Sequence, residues 1–265
     1  MKGAGEIMVK ALETGGVTLH RRGQGPPLML LHCLGVDHKL WDMACAGLER
    51  DFTLLAYDFP GHGEAAVPAG RYGIEQLSAQ LEALLRRAGI ARASLAGISL
   101  GGLVAQDFAA RRPDLVDKLV LIDTTPRYTD EMRGMWAQRA AQARQAGVRA
   151  LIPGLLDIWF TKEFLAGNPE AVRYVRGCFE ACSGEGYALA CEALAAADLR
   201  DGAPRIKAPA LVVCGQQDIP SFLDSAAWLT SNIKGARLEW LGPARHCSIL
   251  EQPDSFRKIL REFLL

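Results

Sequence analysis

The pentapeptide Gly97-Ile98-Ser99-Leu100-Gly101 constrains this chain more than any other stretch. It fits G-x-S-x-G, the pattern of a sharp strand-to-helix turn that lifts a serine hydroxyl above a sheet. Such a turn forces close backbone approaches that only small residues tolerate. The flanks suit it. Ala93-Ser94-Leu95-Ala96 reads as the end of a short buried strand, and the residues from Gly102 to Ala110 read as a helix. An unaided serine hydroxyl is a poor nucleophile and needs a general base. Candidate partners follow downstream in the order Asp, then His.

The rest of the first half alternates short apolar runs with amphipathic segments. Ile7 to Leu12 and Val17 to His20 read as a strand pair around the turn signal Thr14-Gly15-Gly16. Leu28-Met29-Leu30-Leu31, Thr53 to Tyr57 and Leu119-Val120-Leu121-Ile122 are continuous apolar runs, the mark of strands covered on both faces. Helices are predicted near His38 to Glu49 and from Ile74 to Ala88, the second with Ile74, Leu77, Leu81, Leu84 and Leu85 on one stripe. This order implies an α/β fold with a mainly parallel sheet, right-handed crossovers and helices on both faces.

From Arg127 to Leu199 the rhythm changes to helical segments alone. Strands resume at Ala210 to Cys214 and Arg237 to Leu241, with helices near Ser221 to Thr230 and Pro253 to Phe263. The expected organisation is a core of residues 1–126 and 203–265, interrupted by an all-helical cap over residues 127–202. A cap so placed covers the carboxyl edge of the sheet, where open α/β folds bind ligands.

Composition narrows the function. Thirty basic and thirty acidic residues cancel, so no basic stripe points to nucleic acid or an anionic membrane. No apolar run suits a bilayer span, and the N-terminal residues lack a signal-peptide core, so the expected location is cytoplasmic. The seven cysteines are scattered without a Cys-x-x-Cys pair and read as reduced, mostly buried thiols. No phosphate loop, dinucleotide fingerprint or metal-ligand spacing is visible, so no cofactor and no metal are expected.

Position separates the five histidines. His246 follows the last predicted strand and emerges near Ser99, which makes it the candidate base. His62, in the turn Asp58-Phe59-Pro60-Gly61-His62-Gly63, reads as a brace between loops, and His20 and His38 read as surface residues. The carboxylate that orients the base is Asp218, directly after a predicted strand, with Asp123 the competitor one strand earlier. For the negative oxygen of an acyl-transfer intermediate, the amides of Leu100 and Leu34 are the candidate donors.

With these residues placed, the chain resembles the α/β-hydrolase superfamily over its full length and, within it, the 3-oxoadipate enol-lactonases. The closer resemblance rests on Leu34-Gly35 with Trp41-Asp42, the Gly61-His62-Gly63 turn, the elbow, Trp159-Phe160-Thr161, and Glu185-Gly186-Tyr187 with Cys191-Glu192-Ala193. It implies the α/β-hydrolase fold and the ring-opening of a small enol-lactone bearing a carboxylate, through an acyl-enzyme and without a cofactor. An anionic substrate under the cap wants a fixed cation, and Arg133 and Arg139 are the candidate anchors, with Trp136 as an apolar wall. Three segments depart from those lactonases: Leu31-His32-Cys33 stands where Ser-Asn-Ser is common, Glu64-Ala65-Ala66 follows the Gly-His-Gly turn where a serine is usual one residue further on, and Ile219-Pro220-Ser221-Phe222 is unusual. A carboxylesterase or a carbon–carbon hydrolase would use the same triad. A ligand receptor retaining the triad is the alternative of another class.

Overall fold

The computed structural model describes residues 10–14 and 16–265. Strands β1 (Lys10–Thr14), β2 (Val17–Arg22), β3 (Pro27–Leu31), β4 (Thr53–Ala56), β5 (Ala93–Ile98), β6 (Val116–Ile122), β7 (Ala210–Gly215) and β8 (Arg237–Leu241) form one sheet, in the order β1-β2-β4-β3-β5-β6-β7-β8. β1 and β2 pair antiparallel, as does β2 with β4, and every other pairing is parallel. Residues 7–9 of the expected first strand, and Gly15 of its turn, lie outside the described residues.

The core helices are α1 (Leu40–Ala44), α2 (Ile74–Arg87) and α3 (Leu100–Arg111). Between β6 and β7 come α4 (Asp130–Ala146), α5 (Ile152–Trp159), α6 (Lys162–Ala166), α7 (Glu170–Ala181) and α8 (Gly184–Ala196), and no strand is found there beyond an isolated bridge between Arg127 and Asp198. Helices α9 (Pro220–Asn232), α10 (Ser248–Glu251) and α11 (Pro253–Leu264) complete the chain. The stripe predicted on α2 is buried, and α3 is buried along nearly its whole length, as its apolar, small-residue sequence requires. The helix expected from His38 to Glu49 is shorter. It ends at Ala44, and Gly47, at φ +87°, turns the chain before a 3₁₀ turn over Leu48–Arg50.

Topology fixes the site. From β3 the chain crosses toward β4, whereas from β5 it crosses the other way to β6. With right-handed crossovers, α1 lies on one face of the sheet and α2 and α3 on the other. The crevice beyond the ends of β3 and β5 is therefore the switch point at which such sheets take ligands. The strands end nearly in line, with Leu31 beside Gly97, Ile98 beside Ile122, and Gly215 beside Leu241. The loops carrying Leu34, Ser99, Asp123, Asp218 and His246 consequently open at one edge. Helix α8 presses down on that edge, where its Gly186 meets Gly61 so closely that a Cβ on Gly61 would lie 2.6 Å from the Gly186 Cα. Among the described residues no helix is long and apolar enough to cross a membrane.

Packing at the elbow is the tightest constraint in the core. A Cβ on Gly97 would lie 2.2 Å from the Gly101 carbonyl oxygen, and one on Gly101 would lie 2.1 Å from that of Leu31. Gly134, in α4, has nothing within 4 Å of such an atom. Gly97→Ala is expected to cost about 3 kcal/mol of unfolding free energy, whereas Gly134→Ala gains about 1 kcal/mol through helix propensity. Urea midpoints of the two variants check this. Equal midpoints would contradict the packing argument.

Candidate active site

Ser99 sits at φ +52°, ψ −111°, a backbone conformation that costs an L-residue about 1–3 kcal/mol. Its surroundings hold it there. Its N–H donates to the Ile122 carbonyl at 2.9 Å, and its own carbonyl accepts from Thr124 Oγ1 at 2.8 Å and from the Leu103 N–H at 3.1 Å. The side chain, at the head of α3, reaches the edge of the sheet and lies 3.1 Å from His246 Nε2. The other ring nitrogen of His246, Nδ1, lies 2.9 Å from Asp218 Oδ2. Because that carboxylate can only accept, Nδ1 carries the proton and Nε2 offers its lone pair to Ser99. Asp218 Oδ1 is held in turn by the Ile219 N–H at 2.7 Å.

All three side chains are buried. Burial alone would lower the His246 pKa, but the charge and hydrogen bond of Asp218 outweigh it, and the net shift is upward. The Phe222 ring lies 4.2 Å from the imidazole, centroid to centroid, and Trp159 of α5 lies 6.3 Å away.

Asp123, the competitor for the third position, has a different station. It accepts from the Gly215 N–H (2.9 Å), the Ser248 N–H (3.1 Å) and Ser248 Oγ (2.6 Å). It thus ties the end of β7, which leads to Asp218, to the start of α10, which follows His246. Burial and then the charge of Asp218 push its pKa up.

Leu34 lines the small cavity above Ser99, and Leu100 is the first residue of α3, where helix N–H groups lack intrahelical partners. The cavity measures about 40 Å³. Its wall includes Trp136, Arg139, Trp159, Tyr187 and Phe222. A second pocket of about 370 Å³ adjoins it at Met132 and Phe222 and contains no member of the Ser–His–Asp chain.

The two candidate arginines part company. Arg139 lines the cavity, its guanidinium 4.9 Å above the Trp136 ring, and no carboxylate among the described residues pairs with it. Arg133 faces elsewhere: its Nε donates to the Ala195 carbonyl at 2.6 Å, and it lies 3.8 Å from Asp130. Helical phase separates the two. Met132, Met135, Trp136 and Arg139 stand at i, i+3, i+4 and i+7 and share one face, off which Arg133 falls.

The remaining histidines differ from expectation in one case. His38 is buried, not on the surface. Its Nδ1 lies 2.9 Å from Asp58, and its ring stacks on the half-buried His20 at 3.7 Å. His62 is buried against the Pro60 carbonyl, and burial pushes its pKa down to about 3, so it is neutral. His32 Nε2 accepts from the Phe59 N–H at 2.9 Å and braces the loop after β3. The cysteines are all free thiols, five of them buried.

Two groups of ligand-type side chains lie within 4.8 Å of one another among the described residues: His20, His38 and Glu64, and Asp123, Cys214 and Asp218. In the first the imidazoles are stacked at 10°, so their in-plane lone pairs run side by side and do not converge on one point. In the second the oxygens are already committed to the hydrogen bonds described above. Neither arrangement fits a metal ion as it stands.

Residues that sequence reasoning did not reach include Tyr187 and Phe222 as parts of the cavity wall. Only the heptad-like spacing on α4 could have separated Arg139 from Arg133 beforehand. Asp123→Ala would strand two buried N–H groups and is expected to lower the unfolding free energy by about 3 kcal/mol. An unchanged thermal midpoint would contradict the clamp assigned to Asp123.

The profile of the alpha/beta hydrolase fold family matches residues 26–157. The chain is 33% identical over 231 residues to 3-oxoadipate enol-lactonase 2 of Acinetobacter baylyi, covering 87% of this chain and 85% of that one. It is 30% identical to a pimeloyl-[acyl-carrier protein] methyl ester esterase of Chromobacterium violaceum, covering 91% of this chain and 95% of that one. The crystal structure of an enol-lactonase from Burkholderia xenovorans superposes with a TM-score of 0.89 at 37% identity, covering 96% and 99% of the two chains.

Proposed function

This chain belongs to the α/β-hydrolase family and is a hydrolytic enzyme, and from that premise we propose that it opens a carboxylate-bearing enol-lactone through an acyl-enzyme on Ser99. The hydrogen-bonded chain Ser99–His246–Asp218 carries the chemistry of this reading. Ser99 Oγ attacks the carbonyl carbon while His246 takes its proton. Asp218 fixes the tautomer and stabilises the imidazolium. The amides of Leu100 and Leu34 hold the oxyanion, an interaction worth about 3 kcal/mol of barrier. His246 then returns the proton to the leaving group and activates water against the acyl-enzyme. In this reading residues 127–202 act as a cap that selects the substrate.

The carboxylate preference rests on Arg139, a cation without an ion-pair partner in a cavity otherwise walled by apolar and aromatic groups. Trp136 Nε1 and Tyr187 Oη, on walls of the same cavity, are buried and make no hydrogen bond among the described residues. They add donors suited to an oxygen-rich ligand. The enol-lactonase relatives support the lactone. The methyl ester esterase relative keeps a plain carboxylic ester as the second reading.

Turnover of an enol-lactone carrying a free carboxylate, of its methyl ester and of a simple aryl ester decides between them. The lactone with the free acid is expected to be fastest. Arg139→Gln should raise its KM about tenfold to a hundredfold and leave the methyl ester nearly unaffected. Equal KM changes for both would remove Arg139 as the anchor, and turnover of the aryl ester alone would favour the esterase.

The pH profile has a definite sign. His246 works only when neutral, and its pKa lies above the ordinary histidine value of about 6.5. Activity is therefore lost as pH falls through that raised pKa. Asp218→Asn removes the charge that raises it, so the acid limb should move to lower pH while the plateau drops about ten-thousandfold. An acid limb that stays in place would contradict the assignment of Asp218.

A further inference from the structure

Tyr128 is shielded from solvent, with 1% of its surface exposed, yet its hydroxyl makes no hydrogen bond among the described residues. A buried O–H without a partner costs about 1–3 kcal/mol, and folded proteins keep few of them. The ring is not free to turn away. It meets Trp136 edge-on at 5.3 Å and Phe222 edge-on at 6.1 Å, and Phe222 lies against His246. The hydroxyl faces Ser99 without completing a hydrogen bond to it. Burial pushes the phenol pKa up, so it remains a proton-bearing donor at any working pH.

Topology says which side of the reacting carbon it serves. The loop with Leu34 follows β3, on one side of β5, and Tyr128 follows β6, on the other. An acyl carbon on Ser99 with its oxyanion toward Leu34 and Leu100 therefore turns a different substituent toward Tyr128. His246 approaches from the strands beyond β6, the side from which the leaving oxygen is protonated.

We propose that Tyr128 is a further catalytic residue, its phenol donating a hydrogen bond to the leaving oxygen as the acyl–oxygen bond breaks. The proposal rests on the serine-hydrolase reading above. Ser99 Oγ bonds to the carbonyl carbon as its proton passes to His246. When the tetrahedral intermediate collapses, the bond from that carbon to the leaving oxygen breaks, and the electron pair stays on the oxygen. Tyr128 keeps its own proton and stabilises the developing charge. The proton held by His246 then passes to the leaving group, so charge and atoms balance.

The test is Tyr128→Phe, which removes one oxygen and keeps the ring packing, assayed on two esters of one acyl group. One has a poor leaving group (an ethyl ester) and the other a good one (a nitrophenyl ester). Fluorophosphonate labelling of Ser99 reports the fold and the triad in parallel. The expected result is a loss of about tenfold to a hundredfold in kcat/KM for the ethyl ester, a change under about threefold for the nitrophenyl ester, and an unaltered labelling rate. Equal losses on both esters, or no loss on either, in a variant that still labels, would overturn the role of Tyr128 alone. Wild-type protein that neither labels at Ser99 nor turns over either ester would overturn the hydrolase reading and this proposal with it.

Discussion

The backbone of Ser99 is the constraint on which the rest of the site depends. A positive φ at a residue with a Cβ is unfavourable, and three hydrogen bonds around the Ser99 peptide hold it in that state. The turn works only because β5 and α3 meet almost in contact, which is why glycine stands at 97 and 101. In exchange the hydroxyl stands clear of the sheet at the head of a buried helix. That strained residue is a fixed point against which His246 and the cavity wall are aligned.

The second requirement is that separate loops keep register with that point. Parallel pairing brings the ends of β3, β5, β6, β7 and β8 to one edge, but it does not hold the loops beyond them. Asp123 does part of that work. Its carboxylate binds the end of β7 and the start of α10 together, and so spans the segments that lead to Asp218 and follow His246. The core thereby supplies a rigid chemistry, while α4, α5 and α8 present Trp136, Arg139, Trp159 and Tyr187 to it. Arg144, bound to Glu185 and Glu192, ties α4 to α8 on the outer side of the same helices.

Much of this was legible in the sequence, for a physical reason. Residues directly after buried parallel strands have few places to go, so Ser99, Asp218 and His246 could be placed at one edge from strand order alone. The elements that failed lacked such a constraint. Arg133 and Arg139 both lie on α4, and composition cannot choose between them; the apolar phase of Met132, Met135 and Trp136 can, and it favours Arg139. His38 looked like a polar residue in a loop because its partners, His20 within β2 and Asp58 just after β4, are distant in sequence. Tyr128 carries no motif at all. Its significance arises from burial between Trp136 and Phe222, which exists only once α4 and α9 have packed.

The proposed chemistry passes through a covalent acyl group on Ser99. Intact-protein mass spectrometry of samples quenched in acid during turnover of a slow ester or lactone tests it directly. A transient mass increase equal to the acyl group is expected, mapped by peptide analysis to Ser99 and absent in Ser99→Ala. Turnover that proceeds at full rate in Ser99→Ala, or an adduct that maps to another residue, would contradict it.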